Sequence, residues 1–208
     1  GHGEGSDEKQ SCSTKKLTIM AKPSGGVRGC KSNNKRDRAI AVAEGTIRNN
    51  RYETAVAYDS KGNFLLNKKG GSRAVHFTGS EVANLKDAVF THNHPSALGQ
   101  TGVRAIGTSF CHQDLTFAVN ANLKEMRAVT PTYTFSVKRP KNGWGVTPKQ
   151  VRAAFDRAER AVKREMDRYL NIVGRNRTSY DRANASYYNQ INKRVADKFG
   201  WEYLHKRK

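Results

Sequence analysis

Short apolar runs and polar turns alternate along the chain from residue 39 onward, whereas residues 1–38 have almost no apolar anchor. That first stretch is rich in Gly, Ser, Lys and Arg, and only Leu17-Thr18-Ile19-Met20 interrupts it. It buries too little to offset its ordering entropy, so it reads as an extended arm. Residues 39–50 suit a short helix. Tyr52-Glu53-Thr54-Ala55-Val56-Ala57-Tyr58, the turn Asp59-Ser60-Lys61-Gly62-Asn63 and Phe64-Leu65-Leu66 then predict a β-hairpin. Ala74-Val75-His76-Phe77 is a further short strand, and 78–86 a helix capped by Thr or Ser. Ala88-Val89-Phe90-Thr91 is an apolar strand that runs directly into His92-Asn93-His94-Pro95. A loop rich in Gly, Ser and Thr reaches residue 108, a helix covers 114–123, and strands cover 126–130 and 133–138. The order β-β-β-α-β-α-β-β predicts an α/β (α+β) domain, a mixed sheet flanked by helices.

The last third has a different period. Thr147-Pro148-Lys149-Gln150 is a strong helix start, with Thr at the N-cap, Pro at N1 and Gln at N3. Val151, Phe155, Ala158, Val162, Met166, Tyr169 and Val173 recur at helical spacing up to Gly174. A second helix is expected over 179–199, with Tyr180, Ala183, Tyr187, Ile191 and Val195 on one face and Gly200 after it. The expected organisation is a basic arm (1–44), a mixed α/β domain (45–145) and a basic helical hairpin (146–208).

Charge adds a partner class to this outline. The chain carries 38 Lys and Arg against 18 Asp and Glu, a formal charge of +20. Residues 1–145 hold 22 basic and 11 acidic side chains and residues 146–208 hold 16 and 7, so the charge is spread and marks no single groove. Such a surface favours polyanions, and nucleic acid is one expected partner. No apolar run approaches the roughly 18 residues that span a bilayer, so no membrane partner is expected. The polar, glycine-rich start reads as no signal peptide. Three widely spaced cysteines, Cys12, Cys30 and Cys111, suggest neither a disulfide framework nor a structural cysteine–zinc site. They favour a reducing, cytoplasmic setting, with a phage-associated or secreted one left open.

The chemistry concentrates at His92 and His94. On a strand, residues i and i+2 share a face, so the two imidazoles can converge on one ion. Catalytic zinc keeps three protein ligands and one open position. Asp114, expected to open the next helix, is the third ligand, favoured by the positive helix N-terminus. Hydrolysis also needs a base, and Glu53, a lone carboxylate at the start of an apolar strand, is the candidate. One zinc ion is therefore expected. A zinc deaminase is disfavoured because its H-x-E and P-C-x-x-C signature is absent.

Three stretches together carry a resemblance. Tyr52-Glu53-Thr54-Ala55 with the 59–63 turn, Val89-Phe90-Thr91-His92-Asn93-His94-Pro95-Ser96, and Ser109-Phe110-Cys111-His112-Gln113-Asp114-Leu115 resemble the JAMM (MPN+/JAB) zinc metalloproteases of the bacterial and phage-borne JAB type. The similarity covers roughly residues 45–145. It implies a metallopeptidase or isopeptidase that hydrolyses an amide bond in a peptide or protein, ubiquitin-like proteins included. Cys111 stands where the family's pattern has a serine that supports the tetrahedral oxygen, and a thiol is the poorer donor. Asp114 follows His94 by twenty residues, a longer interval than the pattern has. Both departures favour an alternative: a catalytically silent structural or interaction module of the same fold. The basic charge favours a third reading, a nucleic-acid-binding protein.

Overall fold

The structure, a computed structural model, describes residues 35–72, 74–101, 104 and 108–208. Residues 1–34 of the expected arm, with Cys12 and Cys30, lie outside the described residues. The first element is helix α1 (Lys35–Ile47). Strands β1 (Thr54–Tyr58) and β2 (Phe64–Lys69) form the expected hairpin, and Lys61 N and Asn63 N donate to Asp59 Oδ1 in its turn. Gly62 is required there. Its φ is +83°, and a Cβ would lie 2.6 Å from Arg36 N.

Helix α2 (Gly79–Ala83) starts from a Thr78/Glu81 capping box, and β3 (Val89–Asn93) carries His92. Helix α3 (His112–Asn120), β4 (Glu125–Val129) and β5 (Tyr133–Lys138) follow. Helix α4 (Pro148–Val173) opens on the Thr147/Gln150 capping box; α5 (Arg177–Ala185), α6 (Tyr187–Phe199) and β6 (Glu202–Arg207) complete the order. The result is a mixed six-stranded sheet flanked by helices, with α5 and α6 in a C-terminal helical hairpin. No helix among the described residues is long and apolar enough to cross a membrane.

The sheet order is β2-β1-β3-β4-β5-β6. Only β3 and β4 pair in parallel. Strand alternation divides the side chains between two faces. Val56, Tyr58, Val89 and Val129 face α1, where Ile40, Ala43 and Ile47 recur at helical spacing. The same layer holds Glu44, which takes Arg127 Nε at 2.6 Å and Thr91 Oγ1 at 3.1 Å, so this buried carboxylate is paired. The opposite face carries Ala55 beside His92, Ala57 beside Phe90, and Met126 beside Phe90.

Onto that face pack α3, α4 and α6, and one core cluster joins Phe110, Leu115, Leu123 and Phe135 to Val151, Phe155, Val162, Ile191, Val195 and Trp201. Each such side chain contributes about 1.5–3 kcal/mol on burial. Trp144 Nε1 donates to Leu123 O at 3.0 Å and Trp201 Nε1 to Trp144 O at 3.2 Å.

Several elements differ from the sequence reading. Residues 74–77 form no strand: the Ala74 carbonyl accepts from Gly71 N and the His76 carbonyl from Lys68 Nζ, so these two carbonyls are paired without a ladder. The helix expected over 78–86 is only α2, closed by turns that end with Asp87 at φ 63°. The helix expected over 179–199 is two helices that meet at Ser186. Helix α1 begins in a charged turn, inside the expected arm, and β6 stands where the sequence pattern predicts no strand.

Candidate metal centre

His92 lies in β3 and His94 just beyond it, so strand geometry sets both rings on the α3 side of the sheet. Their Nε2 atoms are 2.9 Å apart. Asp114 brings Oδ1 to 3.2 Å from His92 Nε2 and Oδ2 to 3.8 Å from His94 Nε2. The long interval between His94 and Asp114 therefore does not displace the carboxylate. Glu53 joins from the residue before β1: one ligand atom each of Glu53, His92 and His94 lie within 4.8 Å of one another. This buried group could hold a metal ion. Tetrahedral zinc with bonds of about 2.0–2.1 Å sets its ligand atoms roughly 3.3 Å apart. The 2.9 Å between the two Nε2 atoms and the 3.2 Å from His92 Nε2 to Asp114 Oδ1 lie near that edge, while the 3.8 Å from His94 Nε2 runs to the other carboxylate oxygen, Oδ2, so imidazole and carboxylate donors compatible with such an ion stand together.

Asp114 is not the first residue of its helix. It is the N3 residue of α3, in a reciprocal capping box with Cys111 at the N-cap. The Cys111 backbone N–H donates to Asp114 Oδ2 at 2.9 Å. Cys111 itself is half-buried. His94 Nδ1 lies 2.6 Å from the Thr108 carbonyl. A carbonyl only accepts, so the ring proton sits on Nδ1 and the Nε2 lone pair faces the centre. His112 is not part of the group; its Nε2 lies 2.7 Å from Arg152 Nη1 of α4.

The charges are strongly coupled. Burial raises the Glu53 pKa to about 7, partly offset by the His92 charge, and its Oε2 has no hydrogen-bond partner among the described residues. Burial opposes the charged form of His92, but the Asp114 charge and hydrogen bond, with the Glu53 charge, outweigh it and raise its pKa. Burial and the adjacent His92 lower His94 to about 4. Asp114 resists burial through His92, His94 and the Cys111 N–H, which hold it well below the usual carboxylate range.

Three supports were not legible as functional residues. Asn93, between the histidines, points to the other side of the sheet. Its Oδ1 accepts from Thr54 N at 2.7 Å, and its Nδ2 donates to Asn50 O and Tyr52 O, both at 3.1 Å. These bonds fix the segment that presents Glu53. Gly70, just after β2, closes the same segment: its N–H donates to Glu53 O at 2.5 Å, and a Cβ there would overlap the Ala74 carbonyl oxygen. The third support reaches residues 108–111 from the C-terminal elements. Asn192 Nδ2 donates to Phe110 O at 2.8 Å and Ser109 Oγ meets Tyr203 Oη at 2.7 Å. Tyr203 in turn donates to Asn189 Oδ1 at 2.8 Å, and its burial holds the phenol protonated by raising its pKa. The one signal available in the sequence was the polar Asn192 within an otherwise apolar helical stripe.

Compared with protein-family models, with curated proteins and with solved structures, the chain shows no match.

Proposed function

We propose that this protein is a JAMM-type zinc metallopeptidase or isopeptidase, acting on an amide bond of a peptide or protein substrate. Its chain supplies three ligands, His92, His94 and Asp114, and a separate carboxylate, Glu53. The observation that carries this reading is their convergence: two imidazole Nε2 atoms 2.9 Å apart, the Asp114 carboxylate 3.2 and 3.8 Å from them through its two oxygens, and the buried Glu53 carboxyl beside them. Zinc, when bound, supplies a Lewis acid that acidifies water and polarises a carbonyl. Glu53 accepts the proton from the attacking water at Oε2 and returns it to the leaving amine. A carboxylate held next to the metal ligands, with Oε2 free of other partners among the described residues, is placed for both transfers. Asn93 and Gly70 hold Glu53 in place, while Thr108 and Cys111 orient His94 and Asp114. The half-buried Cys111 stands at the position from which the family's serine supports the tetrahedral oxygen. Ubiquitin-like proteins are among the expected substrates.

Metal content per chain, measured by mass spectrometry after purification without added metal, tests the centre. About one zinc in the wild type and none in His92→Ala/His94→Ala is expected. Glu53→Gln should keep the zinc and lose peptide cleavage. A wild-type chain that neither holds zinc nor takes it up with high affinity would refute the hydrolase. A zinc-bound chain inert toward peptide libraries, whose partner binding Glu53→Gln leaves unchanged, would instead mark a silent interaction module. The formal charge of +20 supports nucleic acid as an additional partner of the surface. That contact should weaken steeply with salt.

A further inference from the structure

Beside the metal centre lies a cavity of about 340 Å³. Glu53, His92 and Asp114 stand on its wall, and most of the rest is apolar. Phe77, Phe90 and Phe117 pack on one another there, with ring centroids 5.1–5.6 Å apart. The strand pattern explains why this space lies next to the chemistry. Glu53 and Ala55 share one face of the first strand, and Ala55 sits opposite His92. Small Ala55 and Ala74 leave room that a larger residue would fill. On α3, Phe117 follows Asp114 by three residues, so one helix face carries both the carboxylate and the aromatic wall. Exposed Gln113 and Asn120 mark where the cavity reaches the surface.

We infer that this cavity is a substrate subsite that takes a bulky apolar side chain, aromatic above all, directly beside the bond to be cleaved. The inference rests on the proposed hydrolase reading and specifies its substrate class. A dry cavity of roughly 150 Å³ already accepts benzene, so a phenyl group with its linker fits here. Ring faces and edges from Phe77, Phe90 and Phe117 offer the offset and edge-on contacts that a further aromatic group prefers. Apart from Glu53, His92 and Asp114, at the end where the chemistry lies, the cavity wall carries no ionisable side chain among the described residues. It therefore discriminates against charged side chains through desolvation. Phe117 and Thr116 are accordingly specificity-determining residues, not catalytic ones.

Binding of two hydroxamates to the zinc-loaded protein, by calorimetry, tests this without relying on turnover. Acetohydroxamate probes the metal alone; 3-phenylpropanohydroxamate adds a phenyl group on a short linker. The wild type should bind the phenyl compound at least about tenfold more tightly, as expected for burying a ring. Thr116→Trp fills the cavity from α3, and the Thr116 hydroxyl donates to Gln113 O of its own helix. It should keep acetohydroxamate affinity and lose the phenyl advantage. Ala74→Leu repeats the test from the other wall should the first variant not fold. Equal affinities in the wild type, or an advantage that survives both substitutions, would overturn the subsite and leave the metal centre standing. Failure of both compounds to bind the zinc-loaded wild type would overturn the hydrolase reading and the subsite with it.

Discussion

The backbone N–H of Thr54 donates to the side-chain Oδ1 of Asn93 over 2.7 Å, tying the strand that bears His92 to the residue after Glu53. Because Asn93 also binds the carbonyls of Asn50 and Tyr52, one buried amide sets where Glu53 stands relative to the two histidines. Asn93→Ala leaves an N–H and two carbonyls without their partner. It should cost on the order of 2–3 kcal/mol of stability and lower turnover more than zinc content. Thermal melts with metal analysis check this, and an unshifted melt would count against the role.

Much of this arrangement was legible in the sequence, for identifiable reasons. The pair His92 and His94 declares itself because a strand repeats every two residues, and the Thr147/Gln150 capping box because its letters are its mechanism. Asn93 stayed hidden because it faces away from the side that bears His92 and His94 and has no metal chemistry of its own. Residues 74–77 misled because a four-residue apolar run looks alike in a strand and in a segment packed on the core; Phe77 packs on Phe90 and Phe117 without a ladder. The break at Ser186 carries no Gly or Pro. Strand β6 is mostly exposed, so its pattern is weak, and its pairing with β5 is a long-range fact.

In the metal-free protein, Glu53 also imposes a pH dependence. Its pKa rises from 4.5 to about 7 on folding, so between these values the native chain holds a proton that the unfolded chain has released. The stabilisation is complete below pH 4.5 and is lost as pH rises through 7; the interval corresponds to roughly 3 kcal/mol. In the presence of a chelator, the wild-type melting temperature should therefore fall from pH 5 to pH 7.5 more steeply than that of Glu53→Gln. Superimposable curves would assign the titration elsewhere.

Gly70 is a packing requirement rather than a turn requirement. Its N–H holds the Glu53 carbonyl, and a methyl group there meets the Ala74 carbonyl oxygen. Gly70→Ala should cost about 1–3 kcal/mol and loosen the wall of the cavity that Ala74 lines. Denaturant unfolding reads the first effect and hydroxamate affinity the second.

Asn192 acts at a distance from His94 and Asp114. Asn192→Ala strips the Phe110 and Tyr188 carbonyls of a buried donor, which should cost about 1–3 kcal/mol. It also frees residues 108–111, whose Thr108 and Cys111 hold His94 and Asp114. Outer supports of metal ligands are worth about 10–100-fold in affinity, and a support one step further out should reach the lower end. Competition with a chromophoric chelator measures it, and unchanged zinc affinity would confine Asn192 to packing.

The distance along the chain between the ligands and these last supports sets an order of events. Asn192 lies 82 residues beyond Phe110, and Tyr203 lies 94 beyond Ser109. A chain emerging from the ribosome N-terminus first, at roughly 5–20 residues per second, exposes all four acid and imidazole groups several seconds before the residues that brace them. An ion captured early would thus be held by a loose, exchangeable set of ligands, and its retention would wait for the final strand to dock.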